Sequence, residues 1–223
     1  MNSEKKIKLF LVMCPVLSVI MVFALILMVV DSSNGDASAM SVKDLSDFQA
    51  PFDYSVEYHI SSNYGFRNDP YTNEQKHHSG IDLVAKEGTY IVASAGGKVY
   101  KTGYEDNGLG NYVKLEHDVD GITYYTAYGH MLDNSIVVHE GEVVEKGQVL
   151  GVIGSSGKAT GIHVHFMLMS PNCTYTTGDL KDPTSIINND LEYRKKQKEL
   201  IDKKYFDKED LIDNERFKRY QPQ

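Results

Sequence analysis

Between residues 52 and 188, the sequence consists of short apolar or β-branched runs separated by glycine-containing turns. Pairs such as Asn107-Gly108 and Asp120-Gly121 supply residues that tolerate a positive φ, as the tight turns between antiparallel strands require. No stretch here repeats its apolar residues at helical spacing. The region therefore predicts an all-β domain with tight turns.

Eight runs of alternating or β-branched residues are candidate strands of this domain. They are Tyr58–Ser62, Ile81–Val84, Tyr90–Ser94, Lys98–Thr102, Tyr112–His117, Thr123–Met131, Val149–Ile153 and His163–Leu168. Because side chains alternate between faces along a strand, each run can bury one face and expose the other.

Residues 9–30 carry no charge and follow three lysines. About 22 residues that rise about 1.5 Å each are long enough to cross a hydrocarbon core of about 30 Å. We therefore predict a transmembrane helix over 9–30 and a cytoplasmic segment over 1–8. The positive-inside rule then places the rest of the chain outside the cytoplasm, as a single-pass protein of the cell membrane.

A cleaved signal peptide is the alternative interpretation, since Ala37-Ser38-Ala39 resembles a cleavage site. The apolar run is longer than the usual hydrophobic region of about 7–15 residues, which favours the anchor. Both interpretations export the domain, so a processed and secreted form stays open. A buried core helix is disfavoured because it would be apolar on every face in a small chain.

Composition divides the rest of the chain into three segments. Residues 31–51 are mostly small or polar and predict an extracytoplasmic tether. Residues 52–188 form the predicted catalytic domain. Residues 189–223 contain 10 Lys and Arg and 9 Asp and Glu, and predict a charged tail, helical or frayed. Such charge runs are usually solvated surfaces, so no partner is predicted for the tail.

Charge and cysteine content exclude two classes of site. The net charge is −8, with 9 Lys and Arg against 17 Asp and Glu in residues 52–188. Nucleic acid is therefore not a predicted partner, because binding it requires a basic surface. The two cysteines, Cys14 and Cys173, cannot build a disulfide framework or a thiolate zinc site. Any metal must be held by histidine and carboxylate.

Such ligands occur at two places. In His163-Val164-His165 both imidazoles project from the same side of a strand, and three residues separate His78 from Asp82 where a loop enters a strand. Two imidazole nitrogens, one carboxylate oxygen and an open fourth position are typical of catalytic zinc sites. Either motif alone is weak, since paired histidines in a strand are more often ordinary residues.

Several segments in the same order resemble the lysostaphin-type or LytM-type zinc endopeptidases, which cleave peptide bonds in bacterial peptidoglycan. The resemblance covers about Ser61–Leu168. It includes Ser61–Arg67, His78–Ala85, Gly97–Val99, Gly108–Val113, Tyr128–Met131, Gly141–Gln148 and Thr160–Phe166. It implies an antiparallel β-sandwich of the LytM type, a duplicated hybrid motif, with a groove across one sheet.

The resemblance also implies roles for individual residues. His78, Asp82 and His165 would bind one Zn²⁺, and His130 and His163 would act jointly as base and oxyanion stabiliser. Peptidoglycan peptides would be the substrate. Tyr128 shares strand parity with His130, so in an unbroken strand both would line the groove, and the phenol could stabilise the oxyanion. A groove-lining tyrosine without a catalytic part is the alternative.

The sequence departs from the family pattern at Met167, where a glutamate is common, and in the loop from Ser155 to Ala159. Both departures leave the metal ligands unchanged and bear on which peptide is accepted.

A non-catalytic, membrane-tethered scaffold or activator module of the same fold is the competing interpretation. The segment Gly141–Leu150 also resembles hairpins of biotinyl and lipoyl carriers, but it lacks the M-K-M or D-K-A motif that surrounds their modified lysine. His59, His77, His117 and His139 are not predicted to bind metal.

Overall fold

The structure is a computed structural model that describes residues 44–70 and 72–218, with side chains up to residue 204. A short 3-10 turn, Leu45–Asp47, precedes twelve strands and one helix in these ranges. The strands are β1 Tyr58–Ser62, β2 Gly65–Asn68, β3 Gln75–His78, β4 Ile81–Ala85, β5 Tyr90–Val92, β6 Gly97–Glu105, β7 Gly110–Val119, β8 Ile122–Met131, β9 Val143–Val144, β10 Val149–Val152, β11 Val164–Met169 and β12 Leu180–Lys181, and the helix is α1 Thr184–Lys218.

Eight strands form one antiparallel sheet in the order β1-β4-β11-β8-β7-β6-β9, with β12 paired to β11 outside this path. The strands β5 and β10 form a second, two-stranded sheet, and β2 and β3 form a third. Every described pairing is antiparallel. The predicted antiparallel all-β class is therefore confirmed.

Alternation along β11 divides the apolar side chains of the large sheet between its two faces. Val164 and Phe166 belong to the main buried cluster, whereas Met167 and Met169 belong to a smaller cluster on the other side. The small β5–β10 sheet contributes Ile91 and Leu150 to the main cluster. It therefore packs over one face of the large sheet as a second layer.

All eight strands predicted from the sequence are present, each shifted at its ends by a few residues at most. Four strands were not predicted: β2, β3, β9 and β12. The residues of β3, from Gln75 to His78, are polar and mostly exposed, so the sequence contains no alternation to detect there. The strands β9 and β12 have only two residues each.

The segment before β1 is part of the domain. Phe48, Ala50 and Phe52 are buried in the main cluster, and the backbone N–H of Gln49 donates to the carbonyl oxygen of Ser94 over 2.9 Å. The ordered domain thus includes the last residues of the segment 31–51, which the sequence predicts as a tether.

The helix α1 begins at Thr184, a few residues before position 189, where the sequence predicts the charged tail to begin. Ile186 and Ile187 at its start are fully buried, while Leu191 and Tyr193 are exposed. A C-terminal helix is therefore present, and its first turn contributes to the main buried cluster. The predicted membrane span, 9–30, lies outside the described residues, and no helix within them is long and apolar enough to cross a bilayer.

A buried ion pair attaches α1 to the segment before β1. Asp190 is 3% exposed and pairs with Arg194 one turn later, and it accepts a hydrogen bond from the Tyr58 hydroxyl over 2.9 Å. The guanidinium of Arg194 also donates to the backbone carbonyl oxygens of Phe52, Asp53 and Val56 at 2.8–2.9 Å. One arginine thus joins the helix to three residues that precede the first strand.

His117 lies in the core and away from any metal ligand. Its side chain is fully buried, Nδ1 donates to the carbonyl oxygen of Gly96 over 2.9 Å, and Nε2 is 2.8 Å from Oγ1 of Thr126. Burial lowers the pKa of His117 to about 4, despite the opposing effect of the hydrogen bond to Gly96. The imidazole is therefore neutral in the folded protein at neutral pH.

The variant Arg194→Ala is expected to lower the free energy of unfolding by about 3–5 kcal/mol, because it leaves the buried Asp190 carboxylate without its partner. Urea denaturation would measure the loss. Lys195→Ala removes an exposed positive charge from the next position of the helix and should change stability by no more than about 0.5 kcal/mol. Equal losses in the two variants would contradict the role of Arg194.

Because His117 is buried in its neutral form, the free energy of unfolding of the protein depends on pH. Since the folded pKa, about 4, is below the unfolded value, the contribution is complete above the unfolded pKa and is lost as pH falls towards 4. In this window the wild type should lose up to about 1.4 kcal/mol per pH unit more than His117→Gln. Urea titrations at several pH values would measure the difference, and parallel curves would refute the prediction.

Candidate metal centre

Two paired strands, β4 and β11, and the end of β3 bring the predicted metal ligands together. His165 on β11 lies directly opposite Asp82 on β4, and on its other side opposite Gly129 on β8. His78 is the last residue of β3 and reaches the same place through the short connection to β4. A Cβ atom at Gly80 would lie 2.4 Å from the carbonyl oxygen of Phe166, so only glycine lets this connection pass so close to β11.

The three predicted ligands form a compact triangle of donor atoms. Oδ1 of Asp82 is 2.8 Å from Nδ1 of His165 and 3.1 Å from Nε2 of His78, and the two nitrogens are 3.1 Å apart. Zinc bonds of about 2.0–2.1 Å at tetrahedral angles separate ligand atoms by about 3.3 Å. All three residues are buried, and together they are the group compatible with a metal ion in the described chain.

Hydrogen bonds outside the triangle fix which nitrogen of each imidazole faces it. Nδ1 of His78 lies 2.7 Å from the carbonyl oxygen of Asn63, which can only accept, so Nδ1 carries the proton and Nε2 presents a lone pair. Nε2 of His165 lies 3.3 Å from Oγ of Ser79 and can donate to it, which leaves Nδ1 as a lone pair. Metal-binding histidines characteristically donate their second nitrogen in this way.

Charge also favours a cation among these atoms. Burial alone would raise the pKa of Asp82, but its contacts with the imidazoles of His165 and His78 outweigh burial and hold the pKa below its ordinary value. Burial lowers the pKa of His165, despite its contact with Asp82, so its imidazole favours the neutral form. An ionised carboxylate and two imidazole nitrogens therefore converge, and this donor set fits a divalent metal such as zinc.

His130 and His163 lie beside the triangle without being part of it. Their ring centroids are 4.6 Å apart, and Nε2 of His163 is 3.6 Å from Oδ1 of Asp82. In each residue Nδ1 donates to a backbone carbonyl oxygen: that of Ser156 over 2.8 Å for His130, and that of Gly161 over 2.9 Å for His163. Each Nε2 is therefore left as a proton acceptor.

The predicted position of Tyr128 in the groove is wrong. Tyr128 is fully buried in the main cluster, and its hydroxyl oxygen lies 2.8 Å from the backbone N of Ser94 and 2.9 Å from Oγ1 of Thr126. The prediction required an unbroken strand, but the pairing of β7 with β8 shifts register between Tyr128 and Met131.

The irregularity lies at His130, whose φ is +60°. This backbone conformation turns the His130 side chain to the side of the sheet that carries the metal triangle, while Tyr128 points into the core. Sequence parity alone cannot reveal such a bulge, since it depends on one residue adopting a left-handed conformation.

A cavity of about 950 Å³ opens over the triangle. Its lining includes all five predicted histidine and aspartate residues of the site. One wall comes from the hairpin of β2 and β3, with Arg67, Lys76 and Asp69, and another from Glu105 and neighbouring residues. The predicted groove across a sheet is therefore present.

Sequence reasoning missed the groups that orient the histidines and one charged residue of the wall. The carbonyl oxygens of Asn63, Ser156 and Gly161 are backbone atoms of loops, so no side-chain pattern indicates them. Arg67 belongs to Ser61–Arg67, one of the segments that resemble the zinc endopeptidases. Its position beside Asp82, however, depends on the hairpin of β2 and β3, which the sequence did not predict. Its Nη2 lies 3.7 Å from Oδ2 of Asp82.

Comparisons with known proteins agree with this site. The model of peptidase family M23 matches residues 76–178. An uncharacterized metalloprotease of Haemophilus influenzae is 36% identical over 100 residues, which are 45% of this chain and 20% of that protein. The peptidoglycan DD-endopeptidase ShyC of Vibrio cholerae is 38% identical over 119 residues, which are 53% of this chain and 25% of that protein.

Among solved structures, the catalytic domain of the antimicrobial peptidase lysostaphin from Staphylococcus simulans is similar, with a TM-score of 0.51 and 28% identity. The similarity covers 57% of this chain and 90% of that domain. By contrast, this chain spans only a fifth to a quarter of the length of the two curated relatives. The likeness thus concerns the domain that holds the metal triangle.

The left-handed backbone at His130 predicts an unusual order of stabilities. A side chain there costs about 1–2 kcal/mol that glycine does not, so His130→Gly should be about 1 kcal/mol more stable than His130→Ala. His163 is not among the described residues with positive φ, so at that position glycine should be about 0.5–1 kcal/mol less stable than alanine. Denaturant unfolding of the four variants would test this, and the same order at both positions would contradict it.

Proposed function

We propose that this chain, whose residues 76–178 match the model of peptidase family M23, is a zinc-dependent endopeptidase that hydrolyses peptide bonds of bacterial peptidoglycan. The observation that carries the proposal is the convergence of three ligand atoms within 3.1 Å of one another beside two uncommitted histidine nitrogens. The relative from Vibrio cholerae, named a peptidoglycan DD-endopeptidase, supports the substrate class.

His78, Asp82 and His165 would hold the zinc ion. When bound, zinc polarises a carbonyl group and makes a water molecule more acidic, which supplies a nucleophile at neutral pH. The protein's own contribution here is to keep the three ligand atoms deprotonated and aimed at one point. The carbonyl oxygen of Asn63 and the hydroxyl of Ser79 do this by engaging the outward-facing nitrogens of His78 and His165.

His130 and His163 would handle the protons of the reaction. Burial lowers the pKa of His130 to about 4, although the hydrogen bond to Ser156 opposes the shift, so Nε2 is free to accept a proton at neutral pH. Hydrolysis adds a hydroxyl to the carbonyl carbon and a proton to the departing amine. An imidazole that takes the proton of water at Nε2 becomes the donor for the developing oxyanion or for that amine.

His130 and His163 have the same tautomer, since each donates from Nδ1 to a backbone carbonyl oxygen. They therefore act as a pair in the proposal: one Nε2 accepts the proton of water, and an imidazole protonated there donates to the carbonyl oxygen or to the departing amine. His163 is the one beside Asp82. Tyr128 has no part in the proposal because its hydroxyl is enclosed in the core.

We further propose that this reaction takes place outside the cell membrane, with residues 9–30 as the anchor. The uncharged run after three lysines supports the proposal, as does the location of the proposed substrate beyond the membrane. Membrane fractionation with and without the first 30 residues would test the anchor. Release of a shortened chain into the medium would instead indicate a cleaved signal peptide.

The division of roles predicts different zinc contents in two variants. Asp82→Ala should lose the metal because it removes one of three ligands, whereas His130→Ala should keep about one zinc ion per chain and lose about 10²–10⁴-fold of the hydrolysis rate. Atomic absorption and release of soluble fragments from purified peptidoglycan would give both quantities. Equal zinc loss in the two variants would contradict this division.

Chelation tests the proposed activity as a whole. Purified peptidoglycan should release muropeptides in the presence of the zinc-loaded chain, and removal of zinc should abolish the release until zinc is added back. Mass spectrometry of the products would identify the bond that is cut. A zinc-loaded chain that binds peptidoglycan but releases nothing would point to the scaffold role instead.

A further inference from the structure

Arg67 lies in the groove wall next to a second positive charge and close to the metal triangle. It lies on β2 directly opposite Lys76 on β3, and both side chains line the cavity. Like charges directly opposite each other on paired strands destabilise the pairing. Lys76 is compensated, since its Nζ lies 3.3 Å from Oδ2 of Asp69 at the end of the hairpin. Arg67 is turned towards the metal triangle instead.

The guanidinium of Arg67 has unused donors. Its closest anionic group is Asp82, at 3.7 Å from Nη2 to Oδ2, which is too long for a hydrogen bond. Within the described part of the chain, Nε of Arg67 is buried without a hydrogen-bond partner. The side chain is 33% exposed, so part of the guanidinium faces the cavity. A planar fork of N–H donors is therefore available beside the site.

With zinc bound as proposed, the contact with Asp82 would not neutralise Arg67. Oδ1 of Asp82 is already shared by His78 and His165, and the same carboxylate would bind the zinc ion of the proposed function. One carboxylate cannot balance both a divalent ion and a guanidinium. With zinc bound, this end of the groove carries net positive charge, and an anionic group of the substrate would balance that charge.

We propose that Arg67 binds a carboxylate on the substrate residue next to the scissile bond, and so makes this site selective for peptides that are anionic there. The proposal rests on the proposed function. Arginine suits the task because its donors match both oxygens of a carboxylate. Nη2 is 3.7 Å from one oxygen of Asp82, whose other oxygen is a corner of the triangle. An extended peptide advances about 3.3 Å per residue, so the flanking residue is the one that reaches Arg67.

Binding of two matched peptides tests the proposal. Both are acetylated synthetic peptides that end in D-alanyl-D-alanine, one with a free carboxylate after the bond and one with a carboxamide. Calorimetry on the zinc-loaded full chain with the His130→Ala change measures binding without turnover. The carboxylate peptide should bind about 10- to 100-fold more tightly than the carboxamide, as for a hydrogen bond between charged partners.

Two further variants assign the preference to Arg67. Arg67→Gln in the same chain should bind the two peptides within about threefold of each other, and Lys76→Gln, which removes a charge from the opposite strand, should keep the preference. Zinc content and thermal melting of each variant show whether the site is intact. If Arg67→Gln loses zinc, Arg67→Lys, which keeps the charge but not the fork, should show a reduced preference.

Three outcomes overturn the proposal: equal binding of both peptides by the parent chain, no binding of either, or a full preference in Arg67→Gln or Arg67→Lys. Failure of the proposed function is seen separately, as a lack of muropeptide release by the zinc-loaded wild type. A chain that releases muropeptides but does not distinguish the two peptides would keep the activity and lose only the role of Arg67.

Discussion

The pairing of β11 with β4 on one side and β8 on the other is the interaction on which both the core and the site depend. It sets His165 opposite Asp82 and opposite Gly129 in the same row of the sheet. The same alternation sends Val164 and Phe166 into the main cluster. A register slip of one residue would exchange the two sets, placing imidazole in the apolar cluster and apolar groups at the metal triangle. The core therefore secures the register that the metal ligands need.

The parts of this arrangement that follow from strand periodicity could be predicted, and the parts that follow from irregular backbone could not. The spacing of His163 and His165 and the eight apolar strands are local patterns, and the resemblance to a zinc peptidase family placed the ligands among them. The position of Tyr128 was inferred from the same alternation. It was wrong because His130 adopts a positive φ and breaks the period. The orienting carbonyl oxygens and the place of Arg67 depend on loops and a polar hairpin that carry no such pattern.

Strain and burial are concentrated where the proposed chemistry would occur. His130 combines a left-handed backbone with a buried side chain whose pKa burial lowers to about 4. Three residues with ionisable side chains crowd together at the metal triangle. Each of these features costs folding free energy, and the large apolar cluster beneath the sheet offsets it. The site is thus a place where the stability of the sheet supports an arrangement that is unfavourable by itself.

The attachment of α1 by Arg194 has a mechanical consequence. The guanidinium holds the backbone of Phe52, Asp53 and Val56, just where the chain enters the first strand, and its partner Asp190 is buried in the helix. Moving this segment away from the domain would therefore require breaking its hydrogen bonds to α1. Because β1 is the edge neighbour of β4, which carries Asp82, the strand next to the ligand triangle is preceded by a segment that is fixed to the helix.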